Sequence, residues 1–122
     1  MKHTNFFSAL KSALIGIQSL LKESRNARIQ CVVFICVCVT GIYVQLPLYN
    51  WLWILAASTL VLTMEALNTS IEHLADLISS EYHPKIKILK DIAAGAVLIA
   101  SMFSIVVAGV VFLPYLRAIL PH

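Results

Sequence analysis

Glu65, Asn68, Glu72 and Asp76 recur at three- and four-residue steps in a segment that begins as an apolar run at Trp51. At about 100° per residue they fall within an arc of roughly 80° on one helix face. An ionisable side chain inside a membrane span is costly, so a row of them marks a functional site by default. Two kinds of chemistry suit such a row. A carboxylate at the membrane boundary can take a proton from a hydroxyl as general base. Acids reached by water suit a hard divalent cation such as Mg²⁺, which prefers one or two carboxylates plus phosphate oxygens. Glu65 is the candidate base, being the deepest of the acids and having no Lys or Arg in residues 51–71 to pair with. Glu72 and Asp76 also fit the solvated end of a helix leaving the membrane. Lys90 can offer a point charge to a phosphate, although Lys90 beside Asp91 equally fits local charge balance at a helix start. Together these pieces point to phosphoryl transfer, which needs mainly positioning and charge stabilisation. No GxxxxGK[ST] motif and no protein-kinase glycine loop is present, so a nucleotide site has to be built from helix faces.

The elements that must hold these residues are helices in a membrane. Of the 122 residues, 60% are hydrophobic and only 12% charged, against roughly a quarter charged in soluble proteins. Residues 29–46 and 92–116 contain no acid or base and are long enough to cross a hydrocarbon core of about 30 Å. A third span is expected at 51–71, in spite of Glu65 and Asn68. Three spans make one small all-α membrane unit over residues 1–122, with its termini on opposite sides.

Phe6, Phe7, Leu10, Leu14, Ile17 and Leu21 recur at helical spacing, predicting an amphipathic helix over about 5–22 that lies along the membrane surface. The start does not read as a signal peptide, because Lys11 and Lys22 bracket a periodic apolar stretch, and the mature chain is expected to be the whole chain. Residues 22–28, KESRNAR, form a polar elbow into the first span, and residues 46–50 a tight turn into the second. The second helix is expected to run on to about Ile78, with Ser79, Ser80 and His83-Pro84 breaking it. A third long helix starts near Lys85, and its Ala93, Ala94, Gly95 and Ala96 suit close helix approach.

Lys and Arg concentrate before the first span (Lys2, Lys11, Lys22, Arg25, Arg28) and between the second and third (Lys85, Lys87, Lys90), with only Arg117 beyond. That asymmetry predicts a cytoplasmic N-terminus and 72–91 loop and an external C-terminus. Tyr43, Tyr49, Trp51 and Trp53 cluster at the external turn as an interfacial aromatic belt does. The net charge of +3 favours anionic headgroups, and no basic run interleaved with aromatics suits a nucleic acid. Cys31, Cys36 and Cys38 have no metal or redox spacing and read as packing residues.

The segments EALNTSIEHLADLISSEYH, residues 65–83, and KDIAAGAVLIA, residues 90–100, closely resemble the small bacterial membrane lipid kinases, the diacylglycerol kinase and undecaprenol kinase family. With the RNARI elbow included, the likeness leans to the undecaprenol kinase branch. The resemblance implies a homotrimer of three-span subunits in the bacterial inner membrane, with active sites shared between neighbours on the cytoplasmic face. It implies ATP as co-substrate, Mg²⁺ as cofactor and a membrane lipid alcohol, undecaprenol or diacylglycerol, as acceptor. Carried over by motif, Glu65 is the general base, Asn68 orients the hydroxyl and Glu72 holds the metal. Glu81, Tyr82 and His83 line the nucleotide site, Lys90 meets the phosphates with Asp91 nearby, and Asp76 supports, orienting His83. The family's second metal acid aligns with Ser24 here, so adjacent Glu23 is the candidate replacement. Ser8 and Ser12 could contact the nucleotide or simply form a solvated helix face. The competing class is a non-enzymatic channel or proton-translocating subunit with Glu65 as its conduction site. Against it, the external half of the second span offers only Ser58, Thr59 and Thr63 as polar groups. A purely structural polar stripe that joins helices is the plainest alternative.

Overall fold

The computed structural model describes residues 5–120, so Lys2, counted among the cations above, lies outside the described residues. Four helices follow in order: α1 Phe6–Glu23, α2 Arg25–Tyr43, α3 Leu48–Ile78 and α4 Pro84–Ile119. The fold is all-α, and α2, α3 and α4 are each long and apolar enough to cross a membrane. At 1.5 Å per residue α2 is roughly 28 Å long, about one hydrocarbon thickness, whereas α3 and α4 reach roughly 46 and 54 Å and must project beyond it.

A single residue separates α1 from α2. Ser24 is extended (φ −97°, ψ 110°); its N–H closes α1 onto the Leu20 carbonyl, and its side chain accepts from Ala27 N–H at the start of α2. Arg28 reaches back and donates through Nη1 to the carbonyls of Leu21 (2.9 Å) and Lys22 (2.8 Å). A cation on carbonyls that α1 leaves without partners is favourable at a helix C-terminus. The polar elbow expected over 22–28 is thus mostly helical, with its break confined to Ser24.

The turn between α2 and α3 is closed by two backbone bonds, Leu46 N–H to Gly41 O (3.0 Å) and Gln45 N–H to Ile42 O (3.2 Å). This pair is a Schellman motif, with Gln45 in the left-handed position at φ 58°. The first span therefore ends as a helix at Tyr43 and not at residue 46. Leu46 folds back to be buried with Ile54, Ala57, Val107 and Val111, the apolar core at this end. Trp51 packs here too: a Cβ on Gly41 would lie 2.7 Å from its ring. It is thus turned partly inward from the expected aromatic belt, while Tyr43, Tyr49 and Trp53 stay exposed.

The buried positions of α3 are Ile54, Ala57, Val61, Glu65, Asn68 and Ala75, and those of α4 are Ala93, Ala100, Val107 and Val111. Steps of three, four and seven residues keep one stripe of each helix facing its neighbours. Of the small-residue run in α4 only Ala93 is buried; a Cβ on Gly95 would meet nothing within 4 Å. Pro114 sits inside α4 near its end. No residue of α1 is buried, and its apolar residues Phe6, Phe7, Leu10, Leu14 and Ile17 are exposed. All three cysteines are free.

Candidate active site

Ser24, Glu65 and Asn68 are the only buried polar or charged residues among those described, at 8%, 3% and 7% exposure. The helical stripe brings Glu65 and Asn68 onto the buried side of α3, and the elbow brings Ser24 against them. Ser24 Oγ donates to Glu65 Oε1 at 2.9 Å, a contact across 41 residues of sequence. Glu65 Oε2 and Asn68 Oδ1 are buried with no hydrogen-bond partner among the described residues. Asn68 Nδ2 donates to Glu72 Oε1 at 3.2 Å. That bond fixes the sense of the amide, since the reverse orientation would set two acceptors against each other. Buried polar atoms are seldom left unpaired. Two of them, both acceptors and one helical turn apart, mark a place for a proton donor or a cation.

These groups open onto a cleft of about 210 Å³ lined by Glu23, Ser24, Arg25, Asn26, Glu65, Asn68, Thr69, Glu72 and His73. Glu23 and Glu72 thus share one cleft. Glu23 Oε2 lies 2.7 Å from His73 Nε2. No cluster of three or more His, Cys, Asp or Glu side chains among the described residues could hold a metal alone. Mg²⁺ does not require one, because it keeps waters and phosphate oxygens around one or two carboxylates. The donor set present, two carboxylates and the unpartnered Asn68 Oδ1, is all hard oxygen and fits that ion.

Two apolar grooves adjoin the cleft. One, of about 630 Å³ between α1 and α3, shares Glu23, Thr69 and His73 with it and is walled by residues such as Ile17, Leu20, Leu74 and Leu77. The other, of about 400 Å³ between α3 and α4, shares Asn68.

The remaining sequence candidates lie elsewhere. Lys90 Nζ donates to Asp76 Oδ1 at 2.6 Å, so Asp76 engages Lys90 and not His83. His83 instead caps α4, its Nδ1 accepting from Lys85 N–H at 3.1 Å. Asp91 pairs with Lys87 one turn away, at 2.6 Å, and not with adjacent Lys90. Glu81 and Tyr82 are exposed in the loop between α3 and α4, and Ser8 and Ser12 are exposed on α1. Sequence reasoning passed over Thr69 and His73, four and eight residues beyond Glu65 and hence on nearly the same face; their register alone was a sufficient signal.

Residues 11–112, most of the chain, match the sequence profile of a family described as prokaryotic diacylglycerol kinase. The chain belongs to that family. Among its relatives, a Bacillus subtilis (strain 168) protein named undecaprenol kinase is 34% identical over 111 residues, covering 91% of this chain and 90% of that one. A Synechocystis protein named diacylglycerol kinase is 32% identical over 117 residues, covering 95% of this chain and 67% of the relative. Membership in the prokaryotic diacylglycerol kinase family supports a lipid kinase reaction in general terms. The channel reading has no comparable support.

Proposed function

We propose that this protein phosphorylates a membrane lipid alcohol with ATP, undecaprenol in preference to diacylglycerol. The observation that carries the reading is Glu65 Oε2, a buried carboxylate oxygen without a partner among the described residues, on a cleft that also holds Glu72, in a chain of this family. Glu65 Oε2 accepts the proton of the lipid hydroxyl as the hydroxyl oxygen bonds to the γ-phosphorus. The bond from that phosphorus to the bridging oxygen breaks, ADP leaves, and the Glu65 carboxyl returns its proton to water. Asn68, whose Nδ2 donates one proton to Glu72, orients the hydroxyl by donating its second amide proton to the hydroxyl oxygen. Glu72 and Glu23 would hold Mg²⁺, whose charge would offset that of the phosphates.

The apolar groove between α1 and α3 leads from the lipid side to the same cleft and suits the acceptor's hydrocarbon tail. Lys90, released from Asp76, meets the phosphates, with Ser12, Glu81, Tyr82, His83 and Asp91 completing the nucleotide site. None of these six residues lines the Glu65 cleft within one chain; in the homotrimer proposed here a neighbouring subunit brings them to it. The exposed apolar face of α1 rests on the cytoplasmic membrane surface of a bacterial inner membrane, and the C-terminus is external. The preference for undecaprenol rests on the identity and two-sided coverage of the Bacillus relative. Transfer of labelled phosphate from ATP, with undecaprenol and diacylglycerol offered separately in mixed micelles, tests it. A higher kcat/KM for undecaprenol is expected, and a higher value for diacylglycerol would reverse the assignment.

A further inference from the structure

We infer that Ser24 is a positioning residue that fixes which oxygen of Glu65 is available to the substrate. The inference rests on the reading of Glu65 as the base. A serine hydroxyl has one proton to give. The Oγ of Ser24 accepts from Ala27 N–H at 3.0 Å and gives its own proton to Glu65 Oε1 at 2.9 Å. Capping alone explains the first bond and leaves the second unaccounted for, since a helix N-cap needs only an acceptor. The hydroxyl is also unable to wander. Ser24 N–H is held by Leu20 O at 2.8 Å, Ser24 O accepts from Arg28 N–H at 3.2 Å, and the Arg28 guanidinium grips the two carbonyls before the break. The backbone on both sides of the hydroxyl is therefore fixed, and through it one oxygen of a carboxylate on another helix. Oε1 is occupied and Oε2 has no partner among the described residues. A carboxylate free to rotate would divide its time between orientations; one held at Oε1 always presents the same oxygen. Such preorganisation acts on kcat, because ångström-scale misplacement of a reacting group alone can cost about 100-fold in rate.

Two variants separate the donor from the cap. Ser24→Gly removes the hydroxyl at a position where glycine is itself a tolerated helix cap, and Ser24→Thr keeps both functions. With full-length protein in mixed micelles, undecaprenol and ATP·Mg²⁺, Ser24→Gly is expected to lose about 10- to 100-fold in kcat. Both KM values should stay within about twofold, since neither substrate's binding is touched. Ser24→Thr should recover most of the lost kcat. Wild-type kcat in Ser24→Gly overturns the inference, as does a loss confined to KM or one that threonine fails to restore. Thermal unfolding in detergent confirms that both variants are folded. Glu65→Gln measured alongside separates the two levels: an active Glu65→Gln protein removes the underlying reading, whereas an inactive one beside a fully active Ser24→Gly removes only the role of Ser24.

Discussion

At the scale of single residues the site is an arrangement of acceptors. Glu65 Oε2 and Asn68 Oδ1 are buried without partners among the described residues, at a desolvation cost of about 1–3 kcal/mol per group, and a bound proton donor or cation would relieve it. Glu72 accepts from Asn68 through one oxygen, and the proposed Mg²⁺ would bind the other. Glu72→Gln is therefore expected to raise the Mg²⁺ concentration for half-maximal rate by about tenfold or more, measured by Mg²⁺ titration at saturating ATP. Glu23→Gln should move the same midpoint in the same direction; an unchanged midpoint would take Glu23 out of the site and leave it as the partner of His73. The acid stripe was legible in the sequence because helical register is local: positions 65, 68 and 72 share a face whatever surrounds them. The contact from Ser24 to Glu65 was not, because it joins residues 41 positions apart and depends on where the elbow places α1. The pairing of Asp76 with Lys90 was hidden for the same reason, being set by how α3 and α4 come together.

At the scale of elements, the turn from α2 to α3 is held by close local geometry at Gly41 and Gln45. Gln45 occupies a left-handed position that glycine takes without strain. Gln45→Gly should accordingly stabilise the protein by about 1 kcal/mol, read as a higher midpoint of thermal unfolding in detergent. Gly41→Ala should do the reverse. Its Cβ would meet the Trp51 ring at 2.7 Å and Leu46 at 2.8 Å; the leucine tip can move, but the indole cannot without shifting α3, and overpacking of this kind costs about 1–3 kcal/mol. Hydropathy picked out the three helices that are long and apolar enough to cross a membrane, because that property depends on composition. Their ends were less legible. The left-handed stop at Gln45 carries no glycine to announce it, and α4 continues through Pro114 to Ile119. The start of α4 was clear in advance, because proline is favoured in the first turn of a helix and disfavours helix in the residue before it.

At the scale of the whole molecule, α3 and α4 are longer than a bilayer core is thick and place the cleft at one end of the bundle, opposite the apolar core around Leu46. The excess of Lys and Arg at the cleft end is the basis for the proposed cytoplasmic orientation of the cleft. In a background with Cys31, Cys36 and Cys38 replaced by alanine, a cysteine at Gln45 should react with a membrane-impermeant maleimide added to intact cells, and one at Glu81 should react only after lysis. The opposite pattern would invert the orientation. The central claim, that Glu65 takes the proton of a membrane alcohol, is tested most directly by Glu65→Gln, which keeps the side chain's size and removes its basicity. Initial rates of phosphate transfer from labelled ATP to undecaprenol should fall by about 100- to 10,000-fold, with the protein still folded and its KM for ATP little changed. A Glu65→Gln protein that phosphorylates the lipid at the wild-type rate would contradict the account.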